Sequence, residues 1–166
     1  MAPDDVVFVP VEIRALVVDP TTEAPVVILQ SAKGTDLLPI WIGGFEAHSI
    51  AMAVEGVEPP RPLTHDLLKS VIEGTGFEVV GVRIHSLEDG VFKASARLAS
   101  LDRTAKSLDI DARPSDAIAL ALRTHAPIEV SQEVLDLARI QKQSVDEALR
   151  TLLEQLDPED LGQYEM

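Results

Sequence analysis

The sequence contains no cysteine, a single tryptophan and twice as many acidic as basic residues. Without cysteine, the protein has no disulfides, thiolate zinc sites, iron–sulfur clusters or cysteine nucleophile. No apolar run approaches the roughly 20 residues that a membrane-spanning helix needs. The first residues are acidic where a signal peptide is basic. We therefore expect a cytoplasmic protein with no membrane segment.

The charge is strongly negative, with 28 acidic and 14 basic residues giving a formal net charge of -14. General affinity for nucleic acid comes mostly from Lys and Arg that neutralise phosphates, so this composition speaks against strong non-specific binding. A local basic patch remains compatible with it. The high apolar content beside so much charge also favours a partner-covered surface, and a symmetric dimer is the most common arrangement.

The pattern of elements predicts an α+β fold, with a mixed, largely antiparallel sheet packed with helices in a single compact domain over residues 1–140. The clearest signal is a hairpin, in which two alternating segments flank Asp89-Gly90. A third strand should follow at 107–112, with Leu108 and Ile110 inward. Residues 141–166 are predicted to form an acidic amphipathic helix and tail.

Helices are expected at 45–54, after an N-cap at Thr64, after an N-cap at Ser115, and at 132–140. The third is apolar almost all round and should be buried. Trp41 lies in an apolar segment and is predicted to belong to the core.

Three polar clusters stand in otherwise apolar surroundings. They contain Glu46, the pair His65 and Asp66 with Arg61 upstream, and Asp116 with Arg113 upstream. One interpretation is structural: the acids complement helix dipoles and the arginines pair with carboxylates. The other interpretation is that the first turns of the three predicted helices lie close together in the fold. Glu46, Asp66 and Asp116 would then hold Mg²⁺ or Mn²⁺ through their oxygens, and the arginines would face a phosphate.

The predicted sheet also carries a basic strip beside an acidic one on its outward face. The basic residues are Arg83, His85, Lys93 and Arg97, and the acidic ones are Asp109 and Asp111. Cross-strand ion pairs on a solvated face explain this pattern, and a groove for a nucleic-acid backbone is the alternative.

Four segments, in this order, resemble the bifunctional nuclease domain family. They read LPIWIG at 38–43, EA at 46–47, RPLTHDL at 61–67 and DARPSDAIAL at 111–120. The similarity extends over about residues 7–140. It implies a compact α+β domain, a homo-oligomer, and nuclease activity on RNA and DNA.

Within the matching motifs, the polar residues are the candidate site. We expect the carboxylates to hold the ion, His65 to shuttle a proton, and Arg113 with Arg61 to stabilise the charge on the phosphorus centre. The alternative function is a non-catalytic oligomeric binding or regulatory module, with a small-anion pocket or a subunit interface at the same clusters.

Overall fold

The structure is a computed structural model that describes residues 6–34, 36–104, 106–141 and 151. The elements in these residues are β1 (Phe8–Val18), β2 (Pro25–Ser31), β3 (Leu37–Trp41), α1 (Gly44–Glu55), α2 (Thr64–Gly74), β4 (Phe77–Glu88), β5 (Val91–Ser100), β6 (Leu108–Ala112), α3 (Pro114–Thr124), β7 (Ile128–Ser131) and α4 (Gln132–Gln141).

The strands form one sheet in the order β3-β2-β1-β7-β4-β5-β6. Neighbouring strands are antiparallel, except for β4 and β7, which are parallel. The predicted α+β class and the mixed, largely antiparallel sheet are confirmed. Asp89 and Gly90 form the turn between β4 and β5 and both have positive φ, which is the backbone that this dipeptide favours.

Helix α3 lies at the centre of the packing, as its apolar sequence predicted. It contacts α1, α2, β4 and β5, and its residues from Ala117 to Ala121 are buried. Full burial of a side chain such as Ile118 contributes roughly 1.5–3 kcal/mol. This packing holds the first turn of α3 in place relative to α1 and α2.

Three local predictions are corrected by the structure. Leu108 and Ile110 are exposed rather than inward, because β6 is an edge strand with a neighbour on one side only. Trp41 is also exposed, at the end of edge strand β3. The N-caps are Leu63 for α2 and Arg113 for α3, so that Pro114 takes the first helical position, where its missing N–H costs no hydrogen bond.

The predicted acidic helix and tail over 141–166 lie outside the described residues, apart from positions 141 and 151. Among the helices that the structure describes, none has the length and apolar character needed to cross a bilayer.

Candidate functional site

The first turns of α1, α2 and α3 each carry a carboxylate at the third helical position. These residues are Glu46, Asp66 and Asp116. A carboxylate there is stabilised by the helix dipole and by free backbone N–H groups. One interpretation of the sequence is that these three acids lie close together, and the structure brings two of them together.

Arg113 joins the acids of α1 and α3. Its Nη2 donates to Glu46 Oε1 at 2.7 Å and to Asp116 Oδ1 at 3.2 Å, and its Nε donates to Asp116 Oδ2 at 2.7 Å. Such two-pronged contacts between a guanidinium and a carboxylate are stronger than neutral hydrogen bonds. The Arg113 side chain is nevertheless 67% exposed. Arg113 therefore bridges two acids while remaining accessible to a ligand from solvent.

His65 extends this cluster towards the interior. Its Nε2 lies 3.0 Å from Asp116 Oδ1 and its Nδ1 lies 2.8 Å from the hydroxyl oxygen of Ser49 on α1. A carboxylate accepts, so the network assigns the proton of a neutral ring to Nε2, and Ser49 then donates to Nδ1. Both ring nitrogens are engaged and the residue is buried. His65 orients Asp116 in this arrangement, and the predicted proton shuttle requires one of these bonds to open.

Asp66 does not join the other two acids, which corrects the predicted cluster of three carboxylates. It accepts hydrogen bonds from Arg123 Nε at 2.6 Å and from the backbone N–H of Leu63 at 2.8 Å. The Arg123 side chain is only 9% exposed, and a buried guanidinium needs a carboxylate partner. The Arg123 guanidinium also donates to the backbone carbonyls of Ala119 and Ser49. Asp66 and Arg123 therefore fasten α1, α2 and α3 together.

Arg61 is likewise not brought to the cluster. It is exposed in the loop before α2, and within the described part of the chain it makes no hydrogen bond or ion pair. The geometry gives it no defined role beside Arg113.

The basic strip of the sheet forms ion pairs, as its structural interpretation predicted. Arg97 Nε lies 3.5 Å from Asp109 on the neighbouring strand, and Lys93 pairs with Glu88. Arg83 Nε lies 2.8 Å from Glu129 on β7. These pairs neutralise three cations of the strip, which weakens the alternative of a groove for nucleic acid.

The charges in the cluster stabilise one another in the ionised state. Burial pushes the pKa of Asp116 up, but the hydrogen bonds and charge of Arg113 and the bond to His65 outweigh it, so the pKa lies below its ordinary value. The hydrogen bond and charge of Asp116, followed by those of Glu46, raise the pKa of Arg113. At neutral pH, the guanidinium therefore remains protonated and Asp116 remains ionised.

Two cavities adjoin Arg113. One of about 410 Å³ lies between the end of β3, the β4–β5 turn and the first turn of α3, with Trp41 and Phe92 in its wall. The other, of about 450 Å³, is mainly apolar, with Leu68 and Ile110 in its wall, and reaches His65 and Asp116. Both have the size of small-molecule sites. A ligand bound to Arg113 can extend into either cavity.

With Asp66 paired to Arg123, only Glu46 and Asp116 of the three predicted carboxylates remain as ligands for a divalent cation. Among the described residues, no group of three or more His, Asp or Glu side chains is placed to hold a metal ion. Glu46 and Asp116 approach the same guanidinium nitrogen, and Mg²⁺ is often held by one or two carboxylates together with substrate phosphates. These two residues fit such an ion only if Arg113 leaves them.

A comparison with known protein families identifies the family to which the chain belongs. Residues 27–143 match the family model of the bifunctional nuclease domain. The chain belongs to the bifunctional nuclease domain family. The match confirms the resemblance seen in the sequence, and it includes all four residues of the Glu46, His65, Arg113 and Asp116 cluster.

Relatives of this bifunctional nuclease domain occur in bacteria and plants. An uncharacterized protein of Mycobacterium tuberculosis is 44% identical over 125 residues, which cover 75% of this chain and 73% of that protein. Bifunctional nuclease 2 of Oryza sativa subsp. japonica is 31% identical over 111 residues, or 66% of this chain and 34% of the rice protein. Bifunctional nuclease 1 of Arabidopsis thaliana is 29% identical over 109 residues, with 65% and 34% covered. The chain spans about a third of these plant proteins.

Sequence reasoning missed two polar residues of this bifunctional nuclease domain, Ser49 and Arg123. Each is a polar residue next to an apolar segment of its helix: Ser49 precedes Ile50 and Ala51, and Arg123 follows the apolar run of α3. A polar side chain on a buried helix face needs a partner from another element. That signal was available in the sequence, but the identity of the partner was not.

Proposed function

We propose that this bifunctional nuclease domain hydrolyses the phosphodiester bonds of RNA and DNA at the cluster of Glu46, Arg113 and Asp116, with His65 behind it. The observation that carries the proposal is Arg113: an exposed guanidinium held between two acids where α1 and α3 begin, which also lines two cavities. Membership of the family supports the substrate class.

Arg113 is the group that binds the scissile phosphate. Its planar fork matches two phosphate oxygens, and its charge stabilises the additional negative charge of the transition state. A phosphate on Arg113 competes with the carboxylates that the guanidinium now contacts. Glu46 accepts one hydrogen bond from Arg113, whereas Asp116 accepts two from Arg113 and contacts His65. The phosphate therefore releases Glu46 and leaves Asp116 in place.

Glu46, once released, is the general base. It takes a proton from the water molecule whose oxygen attacks phosphorus, and the leaving oxygen of the substrate receives a proton from solvent as its bond to phosphorus breaks. Asp116 keeps the Arg113 guanidinium oriented, and His65 with Ser49 keeps Asp116 oriented. Two acids beside one phosphate also oppose binding, so we expect modest affinity.

Metal dependence stays a prediction. In a metal-dependent reaction Arg113 would leave both acids, Glu46 and Asp116 would hold Mg²⁺ or Mn²⁺, and the ion would supply positive charge to the phosphodiester in place of the guanidinium. Asp66 is not among these proposed ligands, because its carboxylate is bound by Arg123. The cytoplasmic location and the dimer also stay predictions.

The second candidate function is a non-catalytic oligomeric binding or regulatory module at the same residues. One observation favours it: Arg113 is already paired with two acids, so the cluster is complete without a substrate. A small anion or a second subunit would then be the partner of Arg113.

A cleavage assay distinguishes the two functions. End-labelled RNA and DNA oligonucleotides are incubated with the parent, with Arg113→Gln and with the matched control Arg97→Gln, which removes an arginine ion-paired elsewhere on the sheet. Arg113→Gln should lower the cleavage rate by roughly 10²-fold, and Arg97→Gln should leave it unchanged. Parallel reactions with Mg²⁺, Mn²⁺ or a chelator test the metal. A parent that cleaves neither substrate in any of them, or an Arg113→Gln variant with full activity, contradicts the proposal.

A further inference from the structure

Trp41 is an exposed aromatic side chain in a fixed position. It ends edge strand β3, is 42% exposed and is the only tryptophan of the chain. Its indole N–H donates to Asp19 Oδ2 at 2.8 Å, and the other oxygen of Asp19 accepts from the backbone N–H of Thr21 at 2.9 Å. A ring that is already oriented loses little conformational freedom when a ligand binds to it.

The same ring forms part of a cavity that leads to the candidate site. Trp41 and Phe92 line the space of about 410 Å³ that also has Arg113 and Ser115 in its wall. The cavity therefore combines aromatic surface with the guanidinium that we assign to the scissile phosphate. Its volume is sufficient for one nucleotide.

The residues that line the cavity of Trp41 carry a positive charge, in contrast to the negative net charge of the chain. Among the described residues that line the cavity, Arg113 is the only charged one, although the chain as a whole has a formal net charge of -14. The other cavity beside Arg113 has Asp111 and Asp116 in its wall, and the described residues that line it include His65 but no Phe, Tyr or Trp. A ligand with a flat ring and a phosphate is therefore better matched to the cavity of Trp41.

We propose that Trp41 is a nucleobase-binding residue, on which an unpaired base stacks while the phosphate of the same nucleotide contacts Arg113. The proposal rests on the proposed nuclease function, since it identifies the part of the substrate that this cavity accepts. Stacking on an aromatic side chain suits any base, because every base presents a π face. Trp41 is thus a binding residue for substrates of varied sequence, and it takes no part in the chemical step.

The single tryptophan makes binding directly measurable by fluorescence. The parent protein is titrated with adenosine 5′-monophosphate, with ribose 5-phosphate and with inorganic phosphate. Stacking predicts a saturable change in tryptophan emission with the nucleotide only, because the two controls carry the phosphate without the base. The same change with ribose 5-phosphate, or no change with the nucleotide, overturns the proposal.

Variants extend the test to a readout that does not need the indole. Calorimetric titration with the same nucleotide should show roughly 10- to 100-fold weaker binding for Trp41→Leu and near-parent binding for Trp41→Phe, which keeps a ring. The matched control is Phe45→Leu, because Phe45 is 93% exposed and is not among the residues lining the cavity. Equal affinities for Trp41→Leu and the parent, or equal losses for Trp41→Leu and Phe45→Leu, contradict the assignment.

The two proposals can fail separately. The mononucleotide contains no phosphodiester bond, so nucleotide binding without any oligonucleotide cleavage removes the nuclease function and keeps the binding site. Cleavage by the parent with an unchanged KM in Trp41→Leu removes the role of Trp41 and keeps the nuclease function.

Discussion

Arg123 and Asp66 form an ion pair with 2.6 Å between Nε and Oδ1. This pair explains why Asp66 differs from Glu46 and Asp116, although all three acids occupy the same position in the first turn of a helix. Glu46 and Asp116 converge on the exposed Arg113, and Asp66 instead neutralises a buried guanidinium. We therefore assign the first two acids to the proposed chemistry and the third to the stability of the fold.

Asp66→Asn should lower the free energy of unfolding by about 1–3 kcal/mol, because it leaves the covered Arg123 guanidinium without a negative partner. Urea denaturation followed by circular dichroism measures the change. The matched control is Glu73→Gln on the same helix, since Glu73 forms an exposed pair with Lys69 at 3.7 Å and such pairs contribute only ~0.5 kcal/mol. Similar losses of unfolding free energy in both variants would show that the pair of Asp66 and Arg123 stabilises the fold no more than an exposed pair does.

Stability should fall on the acidic side because the folded state holds Asp116 ionised. Its pKa in the folded protein lies below the ordinary 3.8, the raising effect of burial being outweighed by Arg113 and His65. A depressed carboxyl pKa contributes stability that is present above the unfolded value and is lost as the pH falls through the folded value. The urea midpoint should therefore decrease as the pH drops below about 4.

The variant Asp116→Asn should show a shallower decrease in that range, since the amide does not titrate. Glu12→Gln, at an exposed position of β1, is the matched control for the loss of one carboxylate. An acid dependence of Asp116→Asn that matches the parent and Glu12→Gln would mean that Asp116 is not preferentially ionised in the folded protein.

Gly43→Ala should displace the carboxylate of Glu46 while the fold is retained. A Cβ built on Gly43 overlaps Oε2 of Glu46, whereas one built on the adjacent Gly44 meets no atom within 4 Å. The φ of Gly43 is -74°, which alanine adopts readily, so the flexible end of Glu46 moves rather than the backbone.

We expect Gly43→Ala to cleave oligonucleotides roughly tenfold or more slowly than the parent, because a displaced reactive group loses its alignment with the substrate. Gly44→Ala is the matched control and should cleave at the parent rate. Thermal unfolding of both variants verifies that they fold. Equal cleavage rates for the two alanine variants would argue against a role for Glu46.

Much of the fold was predictable from local patterns. The Asp89-Gly90 turn, the alternating strands beside it and the apolar run of α3 each carry their signal in a few neighbouring residues. Exposure was harder to predict, because Trp41 and Ile110 lie on edge strands and the edge position depends on the order of strands in the sheet. An apolar residue has the same sequence pattern whether or not another element covers it.

The candidate site was predictable in its residue types and only partly in its partners. The motifs identified Glu46, His65, Arg113 and Asp116, which the structure brings together. They also included Asp66, and nothing near it in the sequence shows that Arg123, 57 residues further on, binds its carboxylate. Partner choice between distant residues is decided by helix packing, which local patterns do not encode.

The central claim is that Glu46 and Asp116 with Arg113, and not Asp66, form the reactive cluster. The most direct test compares the cleavage rates of Asp116→Asn and Asp66→Asn on labelled RNA and DNA, with each rate divided by the folded fraction of the variant. We predict that Asp116→Asn loses roughly 10²-fold or more in rate, and that Asp66→Asn cleaves at nearly the parent rate. Full activity in folded Asp116→Asn, or an equal loss in folded Asp66→Asn, would contradict the account.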